Sequence, residues 1–390
     1  MEIKKDLRPI VAIIFLPGLY LCLLVSALLS IAVAGILIAI LFRVFSYTHF
    51  LPSKIMILIA IGGFLGLFFS IRGGWRAIQK IKIPCSAVNV TREHAPLLFE
   101  MINELCLKMR TAIPDNIILE LASNFFVTEA KVRTFDGEHK SRTLCLSAPM
   151  LHILSPAELK AIIVHELAHF TGEDTAYSKY FYPIYRGTLS ALRDMDDVDR
   201  AESDYSAWMS VALIVPKWML RAYLALFTKI ERGIGRQREL RADALAATEV
   251  TSKVKASALV KAHVYGTLWD QAAEKWIVDK LNDGMVYKNI SALFAETFLP
   301  EKALLQEGAE KLSAHLTHPT DSHPCLKDRL TELGESNIDV FNTEGETAAT
   351  LFSDLNPLEE RLTEYVTSLI AEYHPKIERG KSQAAKTAIN

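Results

Sequence analysis

His165-Glu166-Leu167-Ala168-His169 is the stretch of this chain whose residue types and spacing spell out a reaction. Two histidines four positions apart lie on one face of a helix, so both imidazoles can reach a single zinc ion. Glu166 falls to the flank, beside the place where an attacking water would be activated. Zinc lowers the pKa of water and polarises a scissile carbonyl, while the carboxylate takes the proton and later passes it to the leaving amine. With 11 histidines in 390 residues, such a pattern arises by chance in about a few per cent of cases, so two unrelated surface histidines is the weaker reading.

A catalytic zinc needs a third protein ligand and an open fourth position. In HELAHFTGEDT the place of a metzincin's third histidine is taken by Thr175, which cannot serve, and no thermolysin-like glutamate follows a couple of dozen residues on. The best candidate is Glu239 in GRQRELRADALAA, with Asp243 one helical turn later on the same face. Asp243 could accept the second ring N–H of a ligand histidine and so orient it. The competing reading of Glu239 is a surface residue paired with Arg236, Arg238 or Arg241.

The elements that must hold these residues are legible in part. Ser155, Pro156 and Glu158 form a helix start with a capping box, so the histidine helix is expected from Pro156 to about Phe170, ended by Gly172. Residues 91–109 place Leu98, Met101, Ile102, Leu105 and Met109 on one side of a core helix. Strand-like runs at 117–121, 125–132 and 142–146, with an Asp136-Gly137 turn, predict a small sheet. The acidic stretch from Asp194 to Asp204 reads as a solvated loop. Residues 207–228 are apolar, but Pro216, Lys217 and Arg221 near their middle argue against a crossing and for an interfacial or core helix. An amphipathic helix is expected from Pro357 to about Tyr373.

Half of the residues are hydrophobic, and the apolar runs at 10–42 and 55–71 predict a transmembrane helical hairpin. The first run is too long for a cleaved signal peptide. In the second, Gly62, Gly63 and Gly66 allow close helix approach. Basic residues flank the pair (Lys4, Lys5, Arg8; then Arg72, Arg76, Lys80, Lys82), which places both ends in the cytoplasm. Five scattered cysteines without a CxxC pair suit a reducing compartment. With 43 basic and 45 acidic side chains and no basic stripe, nucleic acid is not an expected partner.

HELAH, RELRAD and DSHPCLKDRL together resemble the M48 family of membrane zinc metalloproteases, which includes HtpX-type quality-control proteases and Ste24-type prenyl proteases. The resemblance covers roughly residues 85–335. It implies one Zn2+ per chain with Glu239 as third ligand, a supporting role for Asp243, and His323 as stabiliser of the tetrahedral oxyanion. His318 is a rival to His323, since both precede proline; Arg329 stands at the matching distance from His323. It further implies a gluzincin-like fold in which a strand near Asn124 and Phe125 pairs with an extended substrate, a backbone-reading mode of broad specificity. The chain departs from HtpX-like members in lacking two clear crossings between His169 and Glu239, and from prenyl proteases in having too few crossings for a closed chamber.

The expected architecture is mainly α with a small β-sheet, divided into a membrane anchor (1–84), a metalloprotease domain (85–335) and a C-terminal helical extension (336–390). The expected function is a membrane-anchored zinc endopeptidase acting on unfolded or misassembled polypeptides. Its expected setting is an integral protein with two crossings, in a bacterial inner membrane with the catalytic domain in the cytoplasm. The alternatives are a non-catalytic zinc-containing adaptor or peptide-binding holdase, and an intramembrane protease. The last is disfavoured because Ser155, Glu158, Lys160, Glu173 and Asp174 bracket the motif with polar groups.

Overall fold

The computed structural model describes residues 8–48, 53–78, 82–171, 174–200, 204–299, 324–335 and 345–373. In chain order the elements are α1 (Arg8–Thr48), α2 (Ser53–Ile78), β1 (Lys82–Pro84), β2 (Ala87–Asn89), α3 (Pro96–Met109), β3 (Asn116–Glu120), β4 (Phe126–Thr128), β5 (Lys131–Thr134), β6 (Gly137–His139), β7 (Thr143–Ser147) and α4 (Ala148–Leu151). They continue with α5 (Pro156–Thr171), α6 (Asp174–Arg200), α7 (Asp204–Val211), α8 (Ile214–Glu249), α9 (Ser252–Asn282), α10 (Ile290–Phe298), α11 (Leu326–Glu332) and α12 (Asn356–Tyr373). Among the described residues the chain is mainly helical, with two small sheets.

The chain forms two compact units. One comprises residues 1–81 and 176–234, the other 82–175 and 235–390, so α8 contributes its first part to one and its last part to the other. The C-terminal helix α12 belongs to the second unit.

In the first unit, α2 and the part of α1 from Pro17 onward are long and apolar enough to cross a membrane, exceeding the ~20 residues a crossing requires. Their outward faces carry large apolar side chains such as Leu24, Leu28, Ile31, Phe64 and Phe68. Contacts between helices are made by small residues. A Cβ at Gly62 would lie 2.1 Å from the Met209 carbonyl oxygen, and one at Gly73 would lie 2.9 Å from that of Gly187. Only glycine lets these backbones approach so closely.

The stretch read as a solvated acidic loop is helical through Arg200, in α6. Its carboxylates meet cations from other helices of the same unit. Asp194 lies 3.5 Å from both Arg72 and Arg76, Asp196 accepts from Arg221 at 2.7 Å, and Asp199 pairs with Lys217. The partners are distant in sequence, which is why the run looked like a solvated stretch. The helix at 207–228 resolves into α7 and the start of α8, with Leu213, Leu220 and Phe227 buried and Trp218 exposed.

The second unit holds the mixed sheet β2-β3-β7-β4, with β3 and β7 parallel and both outer pairings antiparallel. Strand periodicity of two separates its faces. Ile117, Leu119, Leu144 and Leu146 join the large helical core with α3, α5 and α9, while Ile118 and Cys145 pack with Cys85 and Val132. Val132 belongs to the smaller sheet β1-β5-β6. The predicted turn closes the β5–β6 hairpin, with Gly137 at φ 135°, a conformation natural to glycine.

Candidate metal centre

α5 is fixed at its start by the predicted capping box. The Ser155 amide donates to Glu158 Oε2 at 2.8 Å, and the Glu158 amide donates to Ser155 Oγ at 3.2 Å. The same buried carboxylate accepts from Lys261 Nζ at 2.9 Å and Ser257 Oγ at 2.6 Å on α9. One glutamate therefore caps the helix and ties it to a neighbour. Leu159, Ile163, Val164 and Leu167 anchor α5 in the core, so the histidines project from a rigid element.

His165 and His169 stand with ring centroids 5.1 Å apart at 90°. The last part of α8 brings Glu239 to them: Oε2 lies 3.4 Å from His165 Nε2, and Oε1 lies 3.6 Å from His169 Nε2. One ligand atom from each of the three residues falls within 4.8 Å of the others. Two imidazole nitrogens and one carboxylate in this arrangement match the donor set of a three-ligand zinc site, so the residues present fit that ion.

Asp243, one turn after Glu239, is 2 % exposed. Its Oδ1 lies 2.9 Å from His165 Nδ1. That nitrogen is fully buried and, among the described residues, has no other partner. Distance and enclosure make Asp243 its acceptor. Arg329 on α11 grips the same carboxylate with Nε to Oδ2 at 2.6 Å and Nη2 to Oδ1 at 2.7 Å, a bidentate pairing. Lys255 Nζ approaches Oδ1 at 3.1 Å.

Burial acts on Asp243 to raise its pKa, but the Arg329 fork, His165 and the Lys255 charge outweigh it and hold the carboxyl well below the usual range. Asp243 is thus a permanent acceptor. Lys255 itself is pushed down by burial, a shift that Asp243 opposes. Glu166 is partly open to solvent yet closely enough enclosed that desolvation raises its carboxyl to about 7, against the lowering influence of His169. A carboxyl poised there suits proton transfer near neutrality.

Asn124, exposed, and Phe125, half-buried against the core, immediately precede β4, one of the two edge strands of its sheet. His323, its rival His318 and the expected helix terminator Gly172 lie outside the described residues. Lys255 was not singled out from the sequence. Its available signal was position, four residues before Leu259 on the buried stripe of α9. Arg329 was legible only as the end of a motif; its grip on Asp243 is a tertiary fact.

Three curated relatives carry the same kind of sequence. A protease HtpX homolog from Arthrobacter sp. (strain FB24) is 27% identical over 197 residues, 49% of this chain and 61% of the relative. One from Paenarthrobacter aurescens (strain TC1) is 27% identical over 186 residues, 46% and 58% of the two chains. One from Ralstonia pickettii (strain 12J) is 28% identical over 199 residues, 49% and 64%. The chain therefore matches about three fifths of the length of these relatives. No solved structure gives a significant match. The family model for peptidase family M48 matches residues 123–337, more than half of the chain, and takes in both histidines, Glu239, Asp243, Lys255 and Arg329; the chain belongs to peptidase family M48.

Proposed function

We propose that this chain is a membrane-anchored zinc endopeptidase that hydrolyses unfolded or misassembled polypeptides at the cytoplasmic face of a membrane. The observation that carries the reading is the convergence of His165, His169 and Glu239 donors within 4.8 Å beside Glu166.

His165, His169 and Glu239 would hold the ion, which supplies Lewis acidity toward the scissile carbonyl and toward water. Glu166 accepts the proton of the attacking water and delivers it to the departing amine, work suited to a carboxyl poised near neutrality. Asp243 keeps His165 in the tautomer that offers Nε2 inward, and Arg329 and Lys255 keep Asp243 ionised. His323 is assigned to the developing oxyanion on the strength of the family motif. An extended substrate backbone adding to the outer edge beside Asn124, Phe125 and β4 would be read through its main chain, giving broad sequence tolerance.

The orientation rests on the basic flanks of the apolar pair. If His169 and Glu239 share one ion, the segment between them begins and ends on the same side of the membrane. It must therefore cross an even number of times or not at all.

The test combines two variants. Glu166→Gln should keep stoichiometric zinc and lose proteolysis of an unstructured reporter, while Glu239→Ala should lose zinc. Full cleavage by Glu166→Gln removes the base from the mechanism. Stoichiometric zinc on wild type with peptide bound but uncut favours the holdase reading.

A further inference from the structure

β3 and β4 pair with β7 from opposite sides, so the five residues between them must pass over the C-terminal end of that strand. At the start of this crossover the Leu121 amide donates to the Ser86 carbonyl at 3.4 Å, and further ties fix where the next strand begins. Ser147, the last residue of β7, donates its hydroxyl to the Ala122 carbonyl at 2.5 Å. One residue on, Ser123 Oγ donates to Asp270 Oδ1 on α9 at 3.0 Å. Gly266, one turn before Asp270, faces the same serine: a Cβ there would lie 3.5 Å from Ser123 Cβ. α9 thus presents a shallow notch and, one turn further, an acceptor, and Ser123 fits both. Asn124 and Phe125 follow directly, then β4.

We propose that Asp270, acting through Ser123, is a positioning residue for the substrate edge, setting where Asn124, Phe125 and β4 lie and so how well an extended peptide docks. This rests on the reading of that edge as the peptide-binding strand. Asp270 takes no part in bond cleavage and does not touch the metal centre. Its removal is therefore expected to change peptide affinity and leave zinc content alone.

The experiment measures binding of a fluorescent unstructured peptide to the zinc-loaded Glu166→Gln protein, so that it does not depend on turnover. Adding Asp270→Ala or Ser123→Ala should weaken binding roughly 3- to 10-fold, the range expected for one lost hydrogen bond. The two together should be no worse than either alone, because they remove the same tie. Asp270→Asn, which keeps an acceptor oxygen, should restore affinity. In the cleaving enzyme the same substitutions should raise KM with kcat unchanged.

Unchanged affinity in both single variants overturns the inference, as does additive loss in the double variant. Failure of Asp270→Asn to rescue overturns it in favour of simple charge attraction. Loss of zinc in Asp270→Ala overturns it in favour of a general structural role. A wild type that binds peptide without cutting defeats the protease reading while leaving these comparisons intact. A Glu166→Gln protein that binds no peptide defeats the edge assignment and this inference with it.

Discussion

The first unit brings its helices together where side chains are smallest, and buried hydroxyls of its two apolar helices bond to carbonyls one turn earlier in the same helix. Ser30 Oγ donates to the Ser26 carbonyl at 2.8 Å, and Ser70 Oγ donates to that of Gly66 at 2.8 Å. The second unit brings elements together by burying large apolar side chains, and within that core it encloses charges: Glu158 with Lys261, and Asp243 with Arg329 and Lys255. Surroundings that already resemble hydrocarbon give helices little hydrophobic reason to associate, leaving close packing to do it. A water-surrounded core gains from apolar burial, and that gain can offset the desolvation of an ionic cluster. The second kind of interior holds the carboxylates and imidazoles of the candidate metal centre.

The largest test of this contrast is at the metal centre. Glu239→Ala should abolish stoichiometric zinc, read by metal analysis, and with it proteolysis; chelation of wild type should do the same reversibly. Glu166→Gln should lower kcat by about 10²- to 10⁴-fold with zinc retained, a split that separates the base from the ligands.

Next comes the enclosed charge. Lys255→Met leaves Asp243 with a poorer set of partners and should destabilise the second unit by about 3 kcal/mol, measured by denaturant unfolding. A neutral result would mean that the Arg329 fork alone satisfies the carboxylate, and that packing governs this unit as it does the other.

In the first unit, Gly62→Leu should disrupt the α2–α7 contact at a cost of about 1–3 kcal/mol, seen as a lower melting temperature in detergent, because a side chain would collide with the Met209 backbone. The smallest effect is expected for Ser70→Ala, which loses the bond to Gly66 and the longer one to Ser26 Oγ at 3.3 Å. About 0.6 kcal/mol is expected. A larger loss would mean that hydroxyl pairing, rather than small-residue packing, holds these helices.

Several features were legible because their cause is local. The capping box at Ser155 and Glu158, the one-face spacing of His165 and His169, and the turn at Gly137 each depend on residues within a few positions. The acidic part of α6 was misread because Arg72, Arg76, Lys217 and Arg221 come from other helices. Lys255 and Asp270 were invisible for the same reason: a lysine and an aspartate on a helix carry no local mark of what they will meet.

By itself the sequence determined the two-histidine helix, its capped start, the acid beside the first histidine and the two apolar runs, because helical periodicity and hydrophobic length are properties of the chain alone. Only the tertiary structure decided that Glu239 lies 3.4 Å from His165, that Asp243 is held by Arg329 and Lys255, and that residues 176–234 associate with the N-terminal pair. Those facts depend on which distant segments bury surface against each other, and no spacing along the chain encodes that choice.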